Sequence, residues 1–404
     1  MASARPLARL TAIIGAGALA ASLAACGTSS SDPSTTASTS SGPIKVGQTI
    51  GITGPAGAYG KAKNDGQKAW LQYVNDNGGV NGRPIELTTL DDGLDVATAV
   101  SNARTLVSQD MVAILNGNGG GSVDALVPVL EQAKVPFLFP AKSSTGWIDT
   151  PSPYAFGIIP TWRDQASAII TEAFKRTGPG SVYLVATPSV DLDPVVAVAK
   201  AATESGGGKW LGNNAVPFGT SNVTPFALQA AADRPDYILF QSAPAETTKI
   251  VASLTESGSL PAKGILALSS LPGATFLQAT TAKAQDLVLS ISAVAPPSDQ
   301  AAKPCVDALA KYAPSVEPQI VNIVGCLEIQ LLTEGLKRID GDITPESVQK
   351  VFNSMTKVSL SELIPPVSFS PENHMGMQVA PAVEIKNGEW VAAGTLAVPV
   401  VRKP

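Results

Sequence analysis

The chain has 404 residues, of which 44% are hydrophobic and only 15% charged, with 36 glycines, 32 prolines and a formal net charge of −5. That composition belongs to a turn-rich globular protein and not to a disordered one. The acidic balance, with no lysine or arginine cluster beyond short pairs, argues against nucleic acid as a partner.

Arg5 and Arg9, the apolar run Leu10 to Leu23 and the small pair Ala24-Ala25 have the layout of a secretory signal peptide over residues 1–25. The apolar part is shorter than the roughly 20 residues a helix needs to cross a bilayer, which disfavours a permanent membrane span. Leu23-Ala-Ala-Cys26 resembles a bacterial lipobox, in which cleavage precedes the cysteine and lipid is attached to its sulfur. The expectation is an extracytoplasmic protein anchored to the cell membrane through Cys26; the alternative is an ordinary cleavage site beside a cysteine. Residues 26–43 are almost all Ser, Thr, Gly and Pro with a single charge. They read as a flexible tether with an r.m.s. span on the order of 20–25 Å.

From Ile44 onward about 360 residues remain, enough for two lobes. Ile44 to Ile50 alternates as a strand. The loop Gly51 to Gly60 follows, then a helical run to about Asn77, the turn 77–84 and the strand Ile85 to Leu90, which ends in Asp91-Asp92. Helix 96–108, strand 111–116, helix 121–133 and strand 135–141 continue the alternation, and a first lobe is complete by about Pro160. The rhythm restarts with a helix near Gln165 to Thr177, the strand Ser181 to Thr187, a helix to Ser205, a short strand near Ala215 to Pro217 and a helix from about Thr224. The strands Asp236 to Ser242 and Gly264 to Leu268 enclose another helix. A helical block 303–338 and the helix 345–355 come next, and Val379 to Gly394 reads as a hairpin about Asn387-Gly388. Strands separated by helices imply βαβ crossovers, hence an α/β fold with two Rossmann-like lobes around parallel sheets.

Cys305 and Cys326 are an even pair in a compartment that permits oxidation, and a disulfide between them is expected; two buried free thiols are the alternative. Closing that loop of about 20 residues is worth roughly 3 kcal/mol on the chain-entropy model. Metal is disfavoured because the sole histidine, His374, is far from both in sequence, and no cofactor is expected.

Thr53-Gly-Pro-Ala-Gly-Ala-Tyr-Gly60, Gly78-Gly-Val-Asn-Gly-Arg-Pro-Ile-Glu-Leu87, Asp91-Asp92 and Ala133-Lys-Val-Pro-Phe137, behind a lipobox and tether, resemble the leucine/isoleucine/valine-binding family of extracytoplasmic solute-binding proteins. The resemblance is dense to about residue 165 and diffuse beyond it. It implies a type I periplasmic-binding clamshell: two lobes joined by three hinge crossings, a solute trapped between them, and delivery to the transmembrane subunits of an ABC permease. The crossings are expected near Pro160, Ser292 and Gln378. Lobe one is then 44–160 plus 292–378, and lobe two 161–291 plus 379–404. Open parallel sheets bind ligands at the carboxyl ends of their strands, so physical reasoning indicates the same location.

In Asn116-Gly-Asn-Gly-Gly-Gly-Ser122, Asn118, Gly120 and Ser122 precede a helix whose unpaired N–H groups favour a carboxylate or another electron-rich oxygen. The plainer reading is a flexible turn with Ser122 as N-cap. By resemblance, Ala141 and Ser143 match the positions that meet a ligand's carboxylate and amino groups, and Tyr59 matches the aromatic that closes over it. The second half departs from the amino-acid binders. Val190-Asp-Leu-Asp193 stands where they carry Tyr-Gly, Ala243 where they place a tyrosine, and Ser269 where they place the acid that pairs with the ligand's ammonium. An unpaired buried ammonium is costly. Either Asp191 or Asp193 supplies the charge, or the ligand lacks an ammonium. Asp193-Pro194 also fits a plain helix start. Trp147 and Trp162 lie near the expected rim.

Catalysis finds no support: there is no Gly-x-Ser-x-Gly elbow and no metal-ligand cluster. The expected solute is small and polar or amphipathic: an amino acid, amide or organic acid. The alternative to transport is a sensor that presents solute to a membrane receptor.

Overall fold

The structure, a computed structural model, describes residues 42–54, 57–115, 120–140, 152–189, 191–360 and 362–398. The leader, Cys26, Asn118, Ala141, Ser143 and Trp147 lie outside the described residues.

Strands β1 (Ile44–Ile50), β2 (Ile85–Asp91), β3 (Ala113–Leu115), β4 (Phe137–Leu138) and β5 (Ala155–Phe156) form a parallel sheet in the order β2-β1-β3-β4-β5. Helices α1 (Gly57–Asp76), α2 (Val96–Val107) and α3 (Gly120–Ala133) make its crossovers. Local chemistry sets their ends. The Asp95 carboxylate accepts the Thr98 N–H at 2.7 Å and caps α2, and the Asn75 side chain bonds both backbone groups of Ile85, fixing the start of β2 under α1.

The chain then passes through helix α4 (Trp162–Thr177) into a second sheet. Its parallel strands β6 (Ser181–Ala186), β7 (Lys209–Ala215), β8 (Tyr237–Gln241), β9 (Gly264–Ala267) and β10 (Val288–Ile291) alternate with α5 (Leu192–Ser205), α6 (Thr224–Ala231), α7 (Pro244–Glu256), α8 (Ala274–Ala279) and α9 (Ala282–Gln285). Strand β8, Tyr-Ile-Leu-Phe-Gln, is buried throughout, as a central parallel strand covered on both faces must be. Helices α10 (Lys303–Tyr312), α11 (Ile320–Lys337) and α12 (Pro345–Phe352) lead to a separate pair, β11 (Val358–Leu360) and β12 (Ile364–Val367). The antiparallel β13 (Val379–Lys386) and β14 (Glu389–Ala397) then complete the order β14-β13-β10-β9-β8-β6-β7. Between them Asn387 and Gly388 both have positive φ, 52° and 78°, as a two-residue hairpin turn of this kind requires.

Several sequence expectations shift. The strand near Ala215–Pro217 is β7 and starts at Lys209, because the chain turns through Gly206–Gly208 directly after α5; β7 is a half-buried edge strand, bulged at Leu211 opposite Val182/Tyr183 of β6, and lacks an apolar run. Ser122 is not an N-cap, since α3 already starts at Gly120. The Asp193-Pro194 pair does not start α5: Leu192 does, with Asp191 at the N-cap and Asp193 exposed. The last helix stops at Phe352. Strands β5, β10, β11 and β12 are too short, at two to four residues, to register as periodic segments.

Two segments between the sheets run side by side: Gly157 donates to the His374 carbonyl at 2.9 Å, Gly376 to that of Gly157 at 2.8 Å, and Met377 to that of Ile158 at 3.1 Å. His374 stacks on Phe156, with centroids 4.4 Å apart and planes 18° apart, and its Nδ1 lies 3.0 Å from the Ala155 carbonyl. Burial pulls its pKa below the ordinary histidine value, so it packs there as a neutral ring.

Helices α1 and α11 cross closely enough that a Cβ at Gly66 would collide with the Asn322 carbonyl, and one at Gly325 with that of Lys63. Across the crossing, Lys63 Nζ lies 2.6 Å from Glu328 Oε1, both side chains almost fully buried, and Gln67 Nε2 donates to Glu328 Oε2 at 2.8 Å. Cys305 and Cys326 are in disulfide contact with Cα atoms 6.0 Å apart, which joins α10 to α11. Removing one member of a buried ion pair strands its partner, at about 3–5 kcal/mol, whereas an apolar replacement of both is far milder. Glu328→Leu is therefore expected to lower unfolding free energy by about 3–5 kcal/mol, and Lys63→Met with Glu328→Leu by much less than the sum of the singles. Urea titrations of the three variants check this, and simple additivity refutes it.

Candidate ligand-binding site

At the carboxyl end of the first sheet, two neighbouring aspartates do different work. Asp91 accepts the Thr53 hydroxyl at 2.6 Å and the N–H groups of Ile52, Gly93 and Thr53 at 2.8, 3.0 and 3.3 Å. These bonds, the Thr53 hydroxyl foremost, hold its carboxyl down from 3.8 to about 2. Asp92 is buried, accepts from Thr49 and Leu94 at 2.9 Å each, and is pushed above the ordinary carboxyl value by desolvation. The pair ties the loop 51–54 down onto β2. Gly54, at φ +78°, faces the Gly93 carbonyl, which a Cβ would approach to 2.8 Å; only glycine suits that turn.

Tyr59, the third residue of α1 and 38% exposed, stands in the first turn of that helix. Desolvation, then the charge of Glu328, raises its hydroxyl pKa. Beneath it, Gln48 donates to Asn64 at 3.1 Å and to Thr89 at 3.2 Å, a buried amide network along β1, β2 and α1. Ser122 is buried within the first turn of α3. At the end of β4, Phe139 has φ +59° while buried against Phe352. A bulky residue held in the left-handed region costs of order 1–3 kcal/mol and persists where packing over-determines it.

The carboxyl ends of the second sheet are also polar. The Ala243 N–H donates to the Thr187 hydroxyl at 3.3 Å, which joins the ends of β8 and β6, and Ser242 and Thr247 share a bond of 2.7 Å. The Ser269 N–H donates to Gln165 Oε1 at 2.9 Å, while Gln165 Nε2 donates to the Pro160 carbonyl at 2.7 Å. Arg163, Asp164 and Gln165 are all buried in the first turn of α4, and Asp164 is bonded to the capping Thr161 at 2.6 Å. Asp191 is 1% exposed, and although it occupies the N-cap its side chain makes no capping bond. Trp162 is half-buried against the core.

The structure thus puts Tyr59 and Ser122 at one set of strand ends and Asp191, Ala243 and Ser269 at another. Gln165 and Gln241 are additions that sequence reasoning missed, because nothing in the sequence marks a buried glutamine. A separate groove of about 400 Å³ lies between α1 and α10, walled by Trp70, Tyr73 and Tyr312. Its lysines are already engaged, Lys303 with Asp307 and Lys311 with Tyr312.

The low pKa of Asp91 has a definite sign. Its contribution to stability is present above 3.8, the ordinary value, and is lost as pH falls through about 2. Melting temperatures of the wild type and Asp91→Asn are therefore expected to differ at neutral pH and to converge as pH drops through that window. A gap independent of pH would show that Asp91 does not act through its charge.

The chain matches the periplasmic binding protein family over residues 43–389. A curated relative, a Leu/Ile/Val-binding protein homologue of Brucella abortus, is 32% identical over 83 residues, covering 20% of this chain and 22% of its own length; the match thus spans about a fifth of that relative. Among solved structures, a branched-chain amino acid transporter substrate-binding protein from Streptococcus pneumoniae, in complex with isoleucine, superposes with a TM-score of 0.74 at 21% identity, covering 88% of this chain and 100% of that one. A fatty acid ABC transporter substrate-binding protein from Thermomonospora curvata gives 0.78 at 19% identity, covering 89% and 95%. With this extent of match and the two-sheet α/β architecture, the chain belongs to the periplasmic binding protein family.

Proposed function

We propose that this protein is an extracytoplasmic solute-binding lipoprotein, anchored through Cys26, that traps a small polar or amphipathic solute between two lobes and delivers it to an ABC permease. The observation that carries the reading is the pair of parallel sheets whose carboxyl ends hold buried polar groups, with paired segments running between the sheets. Among the described residues no helix is long and apolar enough to cross a membrane. An attached lipid is the anchor in this proposal, and the Cys305–Cys326 disulfide fits the oxidising side of the membrane. The lobes are 44–160 with 292–378 and 161–291 with 379–404, and solute binding closes them by selecting the closed members of an open ensemble.

We assign ligand contact to Tyr59, Asn118, Gly120, Ser122, Ala141 and Ser143 from the first lobe, and to Asp191, Ala243 and Ser269 from the second. Between the two acids considered for an ammonium, burial favours Asp191, since Asp193 is exposed. A thermal-shift screen of residues 44–404 against amino acids, their amides, keto acids, aromatic acids and polyamines tests the reading. Solute at a hundred times its Kd adds roughly 2.7 kcal/mol of stability. If leucine, isoleucine or valine raises the melting temperature, Asp191 supplies the partner of the ammonium and Asp191→Asn abolishes that rise. A rise confined to solutes without an ammonium removes Asp191 from that role, and no rise with any solute overturns the function. Small-angle scattering is expected to show compaction with the solute that binds; an unchanged radius of gyration rejects closure.

A further inference from the structure

Buried polar side chains in folded proteins are hydrogen-bonded in the large majority, and an exception calls for an explanation. Among the described residues Gln48, Gln165, Gln285 and Gln330 obey this, and Gln67, whose Oε1 also lacks a partner, is still anchored through its Nε2, which donates to Glu328. Gln48 bonds Asn64 and Thr89, Gln165 bonds Pro160 and Ser269, Gln285 bonds Leu277 and Thr280, and Gln330 donates to both cysteine sulfurs. Gln241 is different: it is 3% exposed, and its Oε1 is buried with no hydrogen-bond partner. An orphaned buried acceptor of this kind loses stability that an apolar side chain of the same shape would keep.

Its position gives the reason. Gln241 is the last residue of β8, paired in register with Ala186, the last of β6. Its carbonyl accepts the Thr187 N–H at 3.1 Å, and the Thr187 hydroxyl accepts the Ala243 N–H. The residue therefore sits at the carboxyl ends of the neighbouring strands β6 and β8, between the segments that carry Ala243 and Asp191. Side chains alternate along a strand, and Leu239 and Tyr237, two and four residues back, pack in the cluster with Ala166, Ile169 and Ile170 of α4. Gln241 extends that face to the strand end, beside the first turn of α4, where Gln165 holds Ser269. The residues that end β6, β8 and β9 are uncharged; the charged side chains buried nearby are Asp191, Arg163 and Asp164 of α4, and Glu246 of α7, with Asp164 bonded to Thr161 and Glu246 accepting the Gly219 N–H.

Resting on the solute-binding reading above, we propose that Gln241 contacts the trapped solute and determines its specificity, its side-chain amide pairing with an uncharged donor–acceptor edge such as a carboxamide. A carboxamide offers an N–H to Oε1 and a carbonyl to Nε2, whereas a carboxylate can only accept. The orphaned acceptor is then a group kept for the ligand at the expense of the empty protein's stability.

The test uses wild type, Gln241→Met and a control, Gln285→Met, with straight- and branched-chain primary amides, their matched carboxylates and the branched-chain amino acids as probes. Melting curves of the empty proteins come first. Gln241→Met is expected to melt at or above the wild-type temperature, while Gln285→Met, which abandons satisfied bonds, melts lower. Calorimetric titration then is expected to show the wild type binding an amide more tightly than its matched carboxylate, and Gln241→Met binding that amide about tenfold more weakly. Should the Met variant not fold, Gln241→Glu keeps the size and is expected to lose the same preference. A preference for carboxylates, binding confined to amino acids, or equal amide affinity in both proteins overturns the role of Gln241 and leaves solute binding standing. If no probe of any class binds the wild type, it is the solute-binding reading that falls.

Discussion

The close crossing of α1 and α11 is the constraint on which the first sheet's architecture depends. The two helices are more than 240 residues apart in the chain, between Asp76 and Ile320, yet Gly66 and Gly325 let their backbones approach until no Cβ fits between them. That approach places Lys63 and Glu328 in a common dry interior, where each charge is tolerable only because of the other. The Asn322 side chain adds a bond of 2.7 Å to the Ala62 carbonyl. Once α1 is fixed in this way, Tyr59 at its start, the loop 51–54 behind it and the Asp91 clamp beneath that loop take up one arrangement. A site built from loops gains precision by resting on such a rigid element.

The same economy of contacts governs the region between the sheets. The segments at 157–158 and 374–377 bond to each other as neighbouring strands do, so they bend together and not independently. Around them the aromatic rings of Phe139, Phe156, Phe352 and Phe369 pack edge to face or tilted at 5.6 to 6.0 Å. These rings form a stiff plug immediately beneath the strand ends. The closure proposed above, about paired segments over such a plug, would be a rotation with few degrees of freedom.

How much of this was legible in the sequence depends on the range of the physics involved. Asn387-Gly388 announces its turn because the positive φ values are a property of two residues. The apolar runs of β6 and β8 announce buried parallel strands for a similarly local reason. Strand β7 was displaced because an edge strand with half its surface in solvent carries no such run. Asp193-Pro194 looked like a helix start on local grammar alone, yet α5 begins earlier, at Leu192. At the site, Tyr59 stands out by its loop and Ser269 by the missing acid, but Gln165 and Gln241 do not. Glutamine is common on helices and strand ends, and burial without partners exists only once distant segments have met. The crossing of α1 with α11 is hidden for the same reason: Gly66 and Gly325 look like ordinary helix-weakening glycines until their neighbours are known.

Gln165 joins specificity to motion. One end of its amide holds the Pro160 carbonyl, immediately before α4, and the other holds the backbone of Ser269 at the end of β9. The strand end that takes the place of the family's acidic position is therefore tied, through a single fully buried side chain, to the segment about which the lobes would turn. A rigid link of this kind makes α4 and the carboxyl edge of the second sheet move as one body. Any solute that presses on Ser269 then acts with a lever on the crossing instead of deforming a loop. Because interiors are close-packed and not fluid, such a displacement is transmitted and not absorbed. In the proposed function the polar groups at this edge would have two tasks: to choose the solute by hydrogen-bond type, and to convert its presence into the position of one sheet relative to the other.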